Sequence, residues 1–180
     1  FEIKTFDKIK EETKDADEKY FKLKKELSLK DEVLYITAQE HSLPSSMLAM
    51  IKYIKTEKND YKQIVVANSE NKAECEDRLK RYNFSDVTVI GSDNEEYIKA
   101  LCEAKYIFSD RALEYFFEIK EGQKYINLQT DCISAKMAKK REMECFEFAT
   151  VQKSIIASSA SVYLNEVSQN SFEKAYRCEM

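Results

Sequence analysis

AKYIFSDRALEYFFEIKEGQKYINLQTDCISAKMAKK, residues 104–140, decides the fold. It holds two short apolar runs, Tyr106–Phe108 and Tyr125–Leu128, each of strand length and each followed by polar residues and a helical pattern. Between them lie the aromatic run Leu113–Phe117 and then Glu121-Gly122, one of only two glycines in the chain. A strand, a crossover helix over Arg111–Ile119, a glycine exit and a second strand make a βαβ unit, which favours neighbouring parallel strands. In open sheets of that kind ligands bind beyond the carboxyl ends of the strands. Those ends are Ser109-Asp110-Arg111 and Gln129-Thr130-Asp131.

The same grammar extends in both directions. Glu32–Ala38 reads as a first strand, nearly continuous in apolar character, as buried parallel strands are. His41-Ser-Leu-Pro-Ser-Ser follows, and Ser42 or Ser45 can cap the next helix, with Pro44 in its first turn. Exposed N–H groups at such a helix start attract phosphate or carboxylate, although an ordinary cap is the plainer reading. Gln63–Ala67 is a second strand before a charged helix over Ser69–Tyr82. Asp86–Gly91 is a third, with a helix from Ser92 to Glu103. After the fifth strand, Thr130 or Asp131 can cap a helix with basic Lys136, Lys139, Lys140 and Arg141, and Ser154–Ser158 reads as a sixth strand. Two helical segments, near Ser161–Val167 and Ser171–Cys178, finish the chain. Strict alternation of this sort predicts an α/β, doubly wound, mostly parallel six-stranded Rossmann-like sheet over residues 31–180.

Residues 1–30 are different. They carry nine basic and eight acidic residues, with Phe6, Ile9, Thr13, Ala16, Tyr20, Leu23 and Leu27 spaced alternately three and four apart. This is a heptad seam on a long charged helix. It serves either as a helix packed on the domain or as a linker or self-associating stem leading in from an upstream region. The chain starts at Phe1 and ends at Met180 within a helical pattern, so a longer parent chain is expected.

Composition excludes several classes. A net charge of −4 argues against a nucleic-acid binder. No apolar run approaches the roughly 20 residues of a membrane-spanning helix, and no signal peptide is evident, so a cytoplasmic location is expected. Five dispersed cysteines without a CxxC pair, and His41 alone to help them, predict no metal site. Neither a GxGxxG nor a GxxxxGK[ST] loop occurs, so no nucleotide cofactor is expected.

In the order of its segments the chain resembles the N-terminal half of the CDP-glycerol glycerophosphotransferases, which build teichoic acid polymers. The resemblance is carried by Val33–Thr37 with Leu48–Lys55, by Asp60–Val66, by Ala104–Arg111 with Tyr115–Phe117 and Gly122–Leu128, and by Val151–Tyr163. It implies one Rossmann-like half of a GT-B fold that receives a lipid-linked, anionic acceptor. A second half, outside this sequence, would bind the CDP-alditol donor. It further implies action at the inner face of the membrane, where Lys136–Arg141 either touches anionic lipid or forms a solvated face. After the Tyr-Ile-Asn-Leu strand the family carries a Trp-His pair whose histidine is the general base. Here Gln129 and Thr130 occupy those positions. A threonine hydroxyl has no useful basicity near neutrality, whereas imidazole titrates there. Asp131 and His41 are therefore the candidate substitutes for the base, and Arg111 and Lys136 the candidate cations for acceptor phosphates. Ser42, Ser45, Asp110 and Thr130 complete the expected binding set. Arg111 can instead pair with Asp110 or Glu114. Loss of the histidine also fits a degenerate half that binds polymer or scaffolds a neighbouring domain.

Overall fold

Alternate residues of a strand point to opposite faces, and here both faces are apolar. Val33 and Tyr35 point one way, Leu34 and Ile36 the other, and all four are fully buried. A strand of that kind belongs in the middle of a sheet covered on both sides. The computed structural model describes residues 6–37, 43–57, 60–92, 95–129 and 145–176. In it β1 (Lys30–Ile36) is central, β2 (Lys62–Ala67) and β3 (Thr88–Gly91) lie on one side, and β4 (Ala104–Ser109), β5 (Lys124–Gln129) and β6 (Ala160–Tyr163) on the other. All pairings are parallel, in the order β3-β2-β1-β4-β5-β6. This is the Rossmann-like, doubly wound arrangement of one half of a GT-B fold.

The helices divide between the faces as right-handed crossovers require. α2 (Ser45–Glu57) and α3 (Lys72–Arg81) bury Met47, Leu48, Ile51, Cys75 and Leu79 against Val33, Tyr35 and Val65. α4 (Glu95–Glu103) buries Tyr97, Ala100 and Leu101 on the opposite face. There it meets α1 (Phe6–Glu26), whose Tyr20 is 1% exposed and stands among Phe116, Phe117 and Tyr125. Ala16, Leu23 and Leu27 pack on the same cluster, so the second half of the heptad seam is spent on this core. The side chains of Phe6, Ile9 and Thr13 lie outside the described residues.

Two elements depart from the sequence reading. The helix expected over Arg111–Ile119 does not form; residues 110–123 run as an irregular strap. Its amides find side-chain acceptors in place of helical carbonyls. Arg111 N–H donates to Ser109 Oγ (3.2 Å), Leu113 N–H to Ser154 Oγ (3.0 Å), Glu118 N–H to Tyr20 Oη (3.1 Å) and Lys120 N–H to Gln123 Oε1 (3.1 Å). Side-chain partners of this kind, two local and two remote in sequence, offer the backbone an alternative to a helix ladder. The second departure concerns Ser154–Ser158, expected as the sixth strand. Residues through Ala157 instead close α5 (Cys145–Ala157), and the strand follows at Ala160–Tyr163. Ile155 packs against Phe172 and Tyr176 of α6 (Glu166–Tyr176), so this apolar run serves a helix contact. A short apolar run does not distinguish a strand from a buried helical turn by periodicity alone. Ser161–Tyr163, expected as the start of a helix, accordingly belongs to β6.

Candidate functional site at the carboxyl edge

Strand order reverses between β1 and β4, so the crevice of the sheet opens beyond Ile36 and Ser109, which are paired in register. Asp110 crosses this point, its N–H donating to Ile36 O (3.3 Å). Ser109 is fully buried, and its Oγ both donates to Arg111 O (2.8 Å) and accepts from Arg111 N–H. That turn swings the chain off the strand and aims Arg111 toward α4.

Arg111 is held from several sides. Nη2 donates to Glu114 Oε1 (3.0 Å) and Tyr97 Oη (3.3 Å), and Nη1 to Ala112 O (3.2 Å). Tyr97 in turn donates to Glu114 Oε2 (2.6 Å). Burial opposes the guanidinium charge, but the oxygens of Tyr97 and Glu114 outweigh that penalty and hold its pKa above the ordinary value. Burial, reinforced by the Glu114 carboxylate, drives the Tyr97 phenol well above its usual range, so it stays neutral. The Arg111 and Glu114 side chains are 23% and 21% exposed, and Arg111 Nε is buried with no hydrogen-bond partner among the described residues. The result is a near-neutral Arg–Glu–Tyr cluster. Of the alternatives open for Arg111, pairing with Glu114 is the one realised.

Ser45 opens α2, and its Oγ lies 3.5 Å from Arg78 Nη2. At the end of β5, Gln129 folds back to donate to Asn127 Oδ1 (2.7 Å), and Asn127 is itself buried. His41, Ser42, Thr130, Asp131 and Lys136, with Lys139–Arg141, lie outside the described residues. Among the described candidates, therefore, the structure sets Asp110 and Arg111 together at the switch point and gives Ser45 a partner on α3.

Sequence reading did not find Tyr97, Ser154 and Gln123. Tyr97 reads as an ordinary apolar helix position. Ser154 sits in the run taken for a strand, yet its Oγ joins Leu113 N–H to Tyr125 Oη (2.9 Å). Gln123, 3% exposed, donates to Leu101 O (2.9 Å) and Ala104 O (2.7 Å), fixing the strap exit to the α4–β4 junction. Among the described residues no group of three or more His, Cys, Asp or Glu can hold a metal ion, and no helix is long and apolar enough to cross a membrane.

A six-stranded parallel sheet with its crevice at β1/β4 defines the class as a doubly wound, Rossmann-like α/β architecture. More narrowly, the chain belongs to the CDP-glycerol:poly(glycerophosphate) glycerophosphotransferase family, whose profile matches residues 19–180. Among solved structures it is similar to the wall teichoic acid polymerase TagF (TM-score 0.62, 13% identity, covering 95% of this chain and 43% of that one). It is also similar to TagF variants soaked with CDPG for 15 minutes (TM-score 0.64, 13% identity, 91% and 41%) and for 30 minutes (0.63, 13%, 99% and 47%). The chain thus spans less than half the length of these structures. No curated protein matches it significantly.

Proposed function

We propose that this chain is the acceptor-side half of a glycerophosphotransferase that moves glycerol- or ribitol-phosphate from a CDP-alditol to a lipid-linked acceptor of the teichoic acid type. Family membership across residues 19–180 carries the reading. The donor would be held by a second α/β half, and the acceptor would enter the crevice beyond β1 and β4. The reaction needs a base at the acceptor hydroxyl and cations around the phosphates. With Thr130 in the histidine position, Asp131 or His41 takes the base role, and Lys136 and the Arg111 cluster face the anionic acceptor. His41 is the stronger base near neutrality, since an unburied aspartate titrates near pH 4. The protein works on the cytoplasmic side, where Lys136–Arg141 either touches anionic lipid or forms a solvated face, and takes no resident cofactor.

A second reading is a degenerate half that binds polymer without turning it over. Two observations favour it: Thr130 replaces the basic residue, and the Arg111 guanidinium is already engaged by Glu114.

CDP-glycerol turnover by the full-length protein on a lipid-linked acceptor analogue separates the two, with His41→Ala, Asp131→Asn and Thr130→His assayed beside it. Turnover in the unaltered protein that is lost in one of the first two variants supports the transferase and identifies its base. Turnover only in Thr130→His marks a degenerate site. A folded protein silent in every form removes the transferase reading.

A further inference from the structure

Arg111 uses only part of its hydrogen-bonding capacity. A guanidinium carries its N–H donors in a planar fork, and a fork edge can grip a pair of oxygens. In Arg111, Nη1 donates to Ala112 O, and Nη2 donates to Glu114 Oε1 and Tyr97 Oη. Nε, which shares an edge with Nη2, is buried with no hydrogen-bond partner among the described residues. A buried N–H left unpaired is costly, and folded proteins seldom keep one that no ligand, ion or water answers. One half of this edge thus lacks an acceptor oxygen, and the other half is held by Glu114.

The surroundings suit an exchange of partners. Arg111 follows the carboxyl end of β4, at the reversal of strand order where ligands of such sheets bind. Glu114 and Tyr97 line a cavity of about 340 Å³ between α1, α4 and the strap, together with Lys19 and Ser92. Lys19 pairs there with Glu95, whose side chain is 82% exposed. A carboxylate that leaves Arg111 therefore has room, a phenol donor in Tyr97 and an ammonium on the same cavity wall.

We propose that Arg111 is a phosphate clamp gated by Glu114. A phosphate group with two free oxygens takes the Nε–Nη2 edge, while Glu114 gives up Nη2 and turns into the cavity, which opens the edge. Parallel charge-assisted bonds to two oxygens are the contact the guanidinium fork makes best. Glu114 also sets the selectivity. A neutral hydroxyl does not displace a carboxylate, and a free carboxylate gains nothing over one tethered three residues away. The inference rests on the acceptor-side reading, since that reading brings a phosphate to this edge.

The test is calorimetric titration of the full-length protein and of Glu114→Gln with inorganic phosphate and with dimethyl phosphate, at neutral pH and constant ionic strength. Glu114→Gln should bind at least about tenfold more tightly than the unaltered protein, the scale of one charge-assisted hydrogen bond. A purely structural Glu114 gives equal or weaker binding instead. Tightening for inorganic phosphate alone makes free phosphate the ligand, and tightening for both extends it to the phosphodiesters of an acceptor. In unaltered protein carrying isotope-labelled arginine, the Arg111 Nε–H resonance should shift on titration, a readout that needs no variant to fold. Equal or weaker affinity in folded Glu114→Gln, or an Nε–H resonance that phosphate does not move, overturns the proposal. The expected binding without CDP-glycerol turnover would remove the transferase and leave the clamp, whereas turnover with an unmoved Arg111 would do the reverse.

Discussion

Two crossovers of this sheet solve the same problem by different means. Between β1 and β2 the chain makes α2, whose Met47, Leu48 and Ile51 form one buried stripe, so the connection covers the sheet with its own side chains. Between β4 and β5 the chain makes no helix. Phe116 and Phe117 of the strap are buried under a helix from the far end of the sequence, and Tyr20 of α1 supplies the lid, its ring centroid 5.2 Å from Phe116 and 6.2 Å from Phe117. Its hydroxyl both accepts from Glu118 N–H and donates to Glu118 O (2.8 Å). A crossover can therefore be non-helical where another element brings both the apolar cover and the hydrogen-bond partners. The comparison breaks most directly at Tyr20. If α1 stands in for a crossover helix, Tyr20→Ala should cost about 3–5 kcal/mol, comparable to the ~2–5 kcal/mol of Ile51→Ala in α2. Urea unfolding of both variants measures this. A Tyr20→Ala loss within the ~0.5 kcal/mol of a surface substitution would show that the strap stands without α1.

The strap is also pinned from the β5–β6 side, where Ser154 Oγ accepts from Leu113 N–H and contacts Tyr125 Oη. Ser154 is 5% exposed, so Ser154→Ala leaves two buried polar groups short of a partner. A loss of about 1–3 kcal/mol follows. Amide exchange at Leu113 should accelerate selectively, and an unchanged Leu113 rate would sink the idea that this contact holds the strap.

Most of the framework was legible because each central strand is a short, doubly apolar run set between polar turns; Leu34, Val65 and Ile107 sit where such runs predict. The strap was not, because Leu113, Phe116 and Phe117 have the spacing of a helical stripe, while what prevents the helix is remote in sequence. Tyr20 is 98 residues from Glu118, and Ser154 is 41 from Leu113. Local pattern carries no trace of such partners. Ser154–Ser158 failed for a related reason, since its apolar side chain meets α6 rather than a neighbouring strand. At the site, Arg111 was legible as a cation at a strand end, and Glu114 as its neighbour. Tyr97, from another element, was not.

The strap's exit sharpens the comparison at a smaller scale. The α2 crossover holds no glycine before β2, whereas the strap re-enters the sheet through Gly122 at φ +81°. A Cβ there would meet Leu29 Cδ1 at an ordinary 3.6 Å, so space is available and the backbone conformation alone resists substitution. Gly122→Ala should destabilise by about 1 kcal/mol. A neutral or stabilising result would show that the turn relaxes out of the left-handed region.

The smallest effect is electrostatic and separates polar from apolar fastening of α1. Lys24 Nζ lies 2.7 Å from Glu118 Oε2, and its hydrogen bond and charge hold the Glu118 carboxyl below its usual pKa. A depressed carboxylate stabilises the fold above the unfolded pKa, near 4.3 for glutamate, and that contribution disappears as pH falls through the lower folded value. Glu118 is 53% exposed, so the pair contributes under ~1 kcal/mol and less in high salt. Glu118→Gln should therefore lower stability slightly at neutral pH and converge with the unaltered protein in acid. Tyr20→Ala should keep its deficit at both ends of the range, because the burial it removes does not titrate there. If the Tyr20→Ala deficit also vanished in acid, α1 would be fastened chiefly by charge, and its likeness to a buried crossover helix would fail.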